Sequence, residues 1–113
     1  MTSNKNSTRY FSKLQENQVA KVIKGKTTPN SGATNYIKGD VQSSGFDSWL
    51  IECKTCKAPK LSFSIKKDWL RVTKNEAIQQ GKMNYAIAFN FGPNQPNYYI
   101  IDEDKFKQLF EEE

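Results

Sequence analysis

The residues best equipped for chemistry are Asp40, Glu52 and Lys54. The run Trp49-Leu50-Ile51-Glu52-Cys53-Lys54 reads as a strand, and its period of two puts Leu50, Glu52 and Lys54 on one face and Trp49, Ile51 and Cys53 on the other. Asp40 closes the short apolar segment before it. Ser43-Ser44-Gly45 supplies the turn that folds the chain back, so that Asp40 is expected to reach Glu52. Two carboxylates and one amine then converge. Hard carboxylate oxygens suit Mg²⁺ or Mn²⁺, and the lysine can place a water or offset charge that builds on a phosphate. Cys53 is expected to point away from this chemistry, into packing.

Helices and further strands must hold that trio in place. Residues 1–9 read as a flexible polar tail and residues 10–113 as one domain, because a chain of 113 residues with 36% hydrophobic content can bury one modest core. Phe11, Leu14, Val19, Val22 and Ile23 make the apolar stripe of a first helix that stops at Gly25. Glu16 borders that stripe, either as a further acidic group for the site or as a solvated helix charge. Ser31 and Gly32 fall in a turn-rich segment upstream of Asp40, where they serve a phosphate contact or a plain connection. After Lys54 comes a basic stretch, broken by Pro59, whose Lys57 and Lys60 are expected to contact DNA. A second helix is expected with Ser64 as its N-cap and Gly81 after its end; Ile65, Trp69, Leu70, Val72 and Ala77 pack on the sheet, and Lys66, Lys67, Arg71 and Lys74 stay outside. Lys66 and Lys67 are the pair expected to clamp a backbone phosphate. Residues 83–91 form a buried strand reached by a crossover, 98–101 return antiparallel to it, and Phe106, Leu109 and Phe110 stripe a last helix with an acidic opening. The order of elements predicts an α/β or α+β domain with a central mixed sheet flanked by helices.

Asp40, eleven intervening residues and Glu52-Cys53-Lys54, with a helix before and after, resembles the PD-(D/E)XK nuclease superfamily. The likeness covers roughly residues 11–90. Within the superfamily the chain is most similar to small Holliday-junction resolvases of phage and archaeal type, in which a Ser-Gly pair lies shortly upstream of the aspartate, as Ser31-Gly32 does here. Gly39 stands where the superfamily's name has proline. The resemblance implies a restriction-endonuclease-like core and Mg²⁺-dependent (or Mn²⁺-dependent) hydrolysis of DNA phosphodiester bonds. It implies Asp40 and Glu52 as metal ligands, Glu16 as a first-helix glutamate that joins them, Lys54 as the group serving water and phosphate, and a role in DNA recombination.

Composition agrees with a polyanionic partner: 17 Lys and Arg against 12 Asp and Glu give a net charge of +5. With no histidine in the chain, Ser-His and Cys-His nucleophilic catalysis are excluded; a structural zinc at Cys53 and Cys56 would need ligands from a partner chain, and the two thiols are expected to be unreactive rather than redox-active or metal-binding. Ala20 to Thr27 fits a relaxed phosphate-loop pattern, but a helix precedes it and a loop follows, the reverse of what an NTPase needs. No apolar run approaches the ~20 residues of a membrane span, so an intracellular protein is expected, and the resemblance implies the cytoplasm of a bacterial or phage-infected cell. Alternatives to a resolvase are a non-catalytic nucleic-acid-binding or assembly module of the same fold, or a duplex or homing endonuclease. Cutting a four-way junction twice predicts a homodimer, and Trp49, Phe63, Tyr85, Tyr98, Tyr99, Phe106 and Phe110 are either core or interface.

Overall fold

The computed structural model describes residues 8–28 and 40–111. Ser31, Gly32, the turn-rich segment around them and residues 1–7 of the expected tail lie outside the described residues. The elements run α1 (Thr8–Ile23), β1 (Lys26–Thr27), β2 (Val41–Gln42), β3 (Trp49–Lys54), α2 (Lys67–Gln79), β4 (Asn84–Phe89), β5 (Tyr98–Ile100) and α3 (Glu103–Glu111). They build an α+β domain around one mixed sheet of five strands in the order β1-β2-β3-β4-β5. β3 and β4 are parallel, with α2 as their crossover, and every other neighbouring pair is antiparallel. Among the described residues no helix is long and apolar enough to cross a membrane.

The period-two reading of β3 holds. Ile51 and Cys53 join Val41, Ala86 and Ala88 on the face covered by Val19 and Ala20 of α1. Leu50 and Ile87, both fully buried, occupy the opposite face, where α2 brings its two buried residues, Thr73 and Ala77. Each face of the parallel pair thus meets one helix, as a sheet buried on both sides requires.

Several expectations about the helices need correction. α1 begins at Thr8, so the last two residues of the expected tail are helical. Its buried line is Gln15, Val19 and Ala20, while Leu14 is 40% and Val22 65% exposed. Gln15 can take an interior position because its amide reaches backbone carbonyls at the end of the sheet. Ser64 does not cap α2: the helix starts at Lys67, and Lys66 stands at the N-cap with an extended backbone and no side-chain cap. Ile65 therefore precedes the helix, and Thr73 holds the interior place that Val72 was expected to take. The stripe of α3 forms, but Phe106, Leu109 and Phe110 remain half-exposed and none is buried in the core.

Two glycines are dictated by close approach. A Cβ on Gly25 would lie 2.4 Å from the carbonyl oxygen of Gln42, which is how α1 turns tightly into the sheet edge. A Cβ on Gly92 would lie 2.7 Å from Pro59 Cα, and its φ of +134° is one that L-residues avoid.

Candidate active site

Backbone register brings the two carboxylates together. Val41 pairs with Ile51 and Gln42 with Leu50, so continuing the antiparallel register by one residue sets Asp40 across from Glu52. The Asp40 amide donates to the Ile51 carbonyl at 3.1 Å, and the Cys53 amide donates to Asp40 Oδ2 at 2.8 Å. The turn that returns the chain is held by two bonds between Ser43 and Trp49: the Ser43 amide donates to the Trp49 carbonyl, and the Trp49 amide to Ser43 Oγ. Gly45 within it has a φ of +99°, a value glycine adopts without strain.

Glu52 and Lys54 share the face that α2 covers, and their side chains form an ion pair at 3.3 Å. Lys54 Nζ also lies 4.5 Å from the ring centroid of Trp69 in the first turn of α2, a cation–π contact the sequence reading did not foresee. Burial raises the Glu52 carboxyl well above the ordinary range, and the charge of Asp40 pushes it further; the ion pair with Lys54 only partly offsets these effects. A carboxyl kept so reluctant to ionise has much to gain from a cation.

Glu16 stands apart from Glu52, because α1 lies over the opposite face of the sheet. It is half-buried beside the apolar line, and its carboxyl is pushed up to about 7 by burial first and by the charge of Asp40 second, with Lys13 and Arg9 opposing. Asp40 therefore acts electrically on both glutamates. Among the described residues, however, no three acidic or cysteine side chains gather closely enough to hold a metal ion. The protein ligands on offer are the pair Asp40 and Glu52. Such a pair suits Mg²⁺, which keeps several waters and commonly takes one or two carboxylates plus the phosphate of its substrate.

The Cys53 thiol is driven far up by burial and by the neighbouring carboxylates, chiefly Asp40, which leaves it no thiolate to react. Cys53 and Cys56 form no disulfide.

The basic residues expected to meet DNA are exposed at Lys57, Lys60, Lys66 and Lys67. The connection between β3 and α2 carries the first two directly away from Lys54, and the contact of Trp69 with Lys54 puts Lys66 and Lys67 at the end of α2 nearest the site. Arg71 is exposed but bound to Asp68 at 2.7 Å.

Two groupings escaped the sequence reading. Gln15 Nε2 donates to the carbonyl of Lys54 at 2.9 Å and of Ala88 at 3.4 Å and to Asn97 Oδ1 at 3.2 Å, while Asn90 Nδ2 donates to the same Asn97 oxygen at 3.0 Å. Thr55 Oγ1 donates to Asn90 Oδ1, so the residue following Lys54 is fastened as well. The second grouping is aromatic: Phe63 packs against Trp69, Phe89 and Phe91, with ring centroids 6.3, 5.5 and 6.4 Å away, and Tyr98 closes on Phe89 at 5.6 Å. Alternation of Phe89, Asn90 and Phe91 was the available signal for both, rings to one side of the strand end and an amide to the other.

No family model, curated protein or solved structure matches this chain.

Proposed function

We propose that this protein is a Mg²⁺- or Mn²⁺-dependent DNA endonuclease with a restriction-endonuclease-like core, acting on four-way or other branched DNA. The observation that carries this reading is the register that opposes Asp40 to Glu52, with Lys54 one pleat further along on the face of Glu52. Asp40 and Glu52 would hold the cation, and Glu16, sharing the field of Asp40, would orient its surroundings. A bound divalent cation supplies Lewis-acid polarisation of the phosphate and a more acidic water. Lys54 serves the same phosphodiester from the protein side: its ammonium donates to the attacking water or to a non-bridging oxygen as negative charge builds there. Cation–π contact with Trp69 holds the ammonium in position. Lys57, Lys60, Lys66 and Lys67, within a net charge of +5, would bind flanking phosphates. A four-way junction is resolved by two cuts related by two-fold symmetry, so the working unit in this reading is a homodimer.

The runner-up is a module of the same fold that binds nucleic acid or an assembly partner without cutting. Incubation with four-way junction, duplex, flap and single-stranded DNA in Mg²⁺ or EDTA separates the two. Cleavage in Mg²⁺ alone is expected, junction above duplex, with Asp40→Ala, Glu52→Ala and Lys54→Ala each lowering it on the order of 100-fold or more while DNA binding survives in the carboxylate variants. Equal cutting in EDTA, or activity in all three variants, would show the metal site to be wrong. Binding without any cutting would leave the non-catalytic module.

A further inference from the structure

The aromatic cluster ends at an open cleft beside Lys54. The cleft measures about 340 Å³ and is lined by Lys60, Ser62, Phe63, Ser64 and Trp69. That volume lies at the small end of ligand pockets, which run from roughly 300 to 1,000 Å³. Its chemistry is mixed in a particular way: two aromatic walls, two hydroxyls and one ammonium. Phe63 is held from behind by Phe89 and Phe91, so its ring is a fixed platform. Trp69 belongs both to the cleft and to the site, since the ammonium of Lys54 rests on its ring. Phe63 and Trp69 touch each other at 6.3 Å and a tilt of 57°, which leaves no slot between them and directs a flat ligand onto their outer surface.

We propose that this cleft seats an unpaired base of the DNA, stacked on Phe63 with its edge against Trp69, close to the phosphate that meets Lys54. This deepens the nuclease reading and rests on it. A base within a duplex has both faces covered by its neighbours, whereas one at a branch point or in a single strand has a face to offer to an aromatic platform. Lys60 on the rim supplies charge complementary to the adjoining phosphate, and Ser62 and Ser64 can donate to or accept from the base edge. The cleft thereby gives the site a means of preferring branched over continuous DNA that the lysines alone do not have, because phosphate contacts are blind to pairing.

The test is binding in EDTA of a branched DNA with 2-aminopurine at the unpaired position beside the branch, against a fully paired duplex carrying the same base. Wild type is expected to change the emission of the unpaired probe and to leave that of the paired one unchanged. Phe63→Leu should remove the change and weaken branched binding on the order of 10-fold, the scale of one stacked base, with duplex affinity unaltered. Because Phe63 also packs inward, Ser62→Leu, which fills the cleft from its exposed rim, is run beside it and should give the same loss. Unchanged branched affinity and emission in both variants overturn the cleft, even if wild type cuts DNA in Mg²⁺. Emission changes that both variants abolish support it, even if wild type cuts nothing and the nuclease reading falls.

Discussion

Burial first, and the charge of Asp40 second, raise the carboxyls of Glu16 and Glu52, so Asp40 is the one charge among the described residues that both glutamates feel. In the unfolded chain both glutamates titrate near 4.5; in the folded chain both lie higher, Glu16 at about 7. The folded protein thus holds more protons than the unfolded one across that window. The stability it gains from the protonated carboxyls is complete below pH 4.5 and is lost as pH rises through about 7. Thermal melts in EDTA should show wild type falling across this window. Asp40→Asn should fall less, because it removes the repelling charge and keeps an oxygen for the Cys53 amide. The flattening expected is on the order of 5 °C, what about 1 kcal/mol is worth in a small domain. Mg²⁺ should raise the melting temperature of wild type more than that of the variant. Equally steep profiles, or equal Mg²⁺ shifts, would mean that Asp40 is not the group the glutamates feel.

Among the elements, the join of α1 to the ends of β3 and β4 matters most for Lys54. One buried amide, Gln15, serves the Lys54 and Ala88 carbonyls where the ladder runs out, and the Asn90 amide meets the same Lys54 carbonyl at 3.3 Å. Replacing Gln15 by Leu keeps the volume but takes one donor from the Lys54 carbonyl, which keeps the Asn90 amide, and one from the Ala88 carbonyl, at a cost of roughly 0.5–1.5 kcal/mol each. Gln15→Leu is therefore expected to lower the melting temperature. It should also slow cleavage on the order of 10-fold, the order of loss expected when a positioning contact far from the reacting atoms is disturbed, while DNA affinity holds. Full cleavage with a lowered melting temperature would restrict the network to a structural role.

For the whole molecule the question is what covers α3. Its stripe of Phe106, Leu109 and Phe110 is 53%, 51% and 62% exposed, an apolar surface that no side chain buries among the described residues. Junction cutting asks for two sites in one particle, and light scattering should give about twice 13.0 kDa. Phe106→Glu combined with Leu109→Glu should return the monomer without unfolding it, because neither side chain is buried in the core. The variant should keep its affinity for DNA phosphate and lose paired cutting of a four-way junction. A wild type that stays monomeric on junction DNA would defeat the resolvase form of the reading and leave a general nuclease.

The alternation of Trp49 to Lys54, the Ser43-Ser44-Gly45 turn and the apolar run after residue 83 were legible in the sequence, and with them the hairpin opposing Asp40 to Glu52, the α2 crossover and the mixed sheet. Each depends on a local period or on turn chemistry, which neighbouring residues settle among themselves. Only the tertiary structure decided which side of the sheet each helix covers, and so that Glu16 lies across from Glu52. It also decided that Gln15 displaces Leu14 from the interior and that Trp69 meets Lys54. Those outcomes come from packing between segments distant in the chain. An amide that finds buried carbonyls costs little to bury, and a leucine left 40% exposed gains little, so hydropathy read along one helix cannot rank the two.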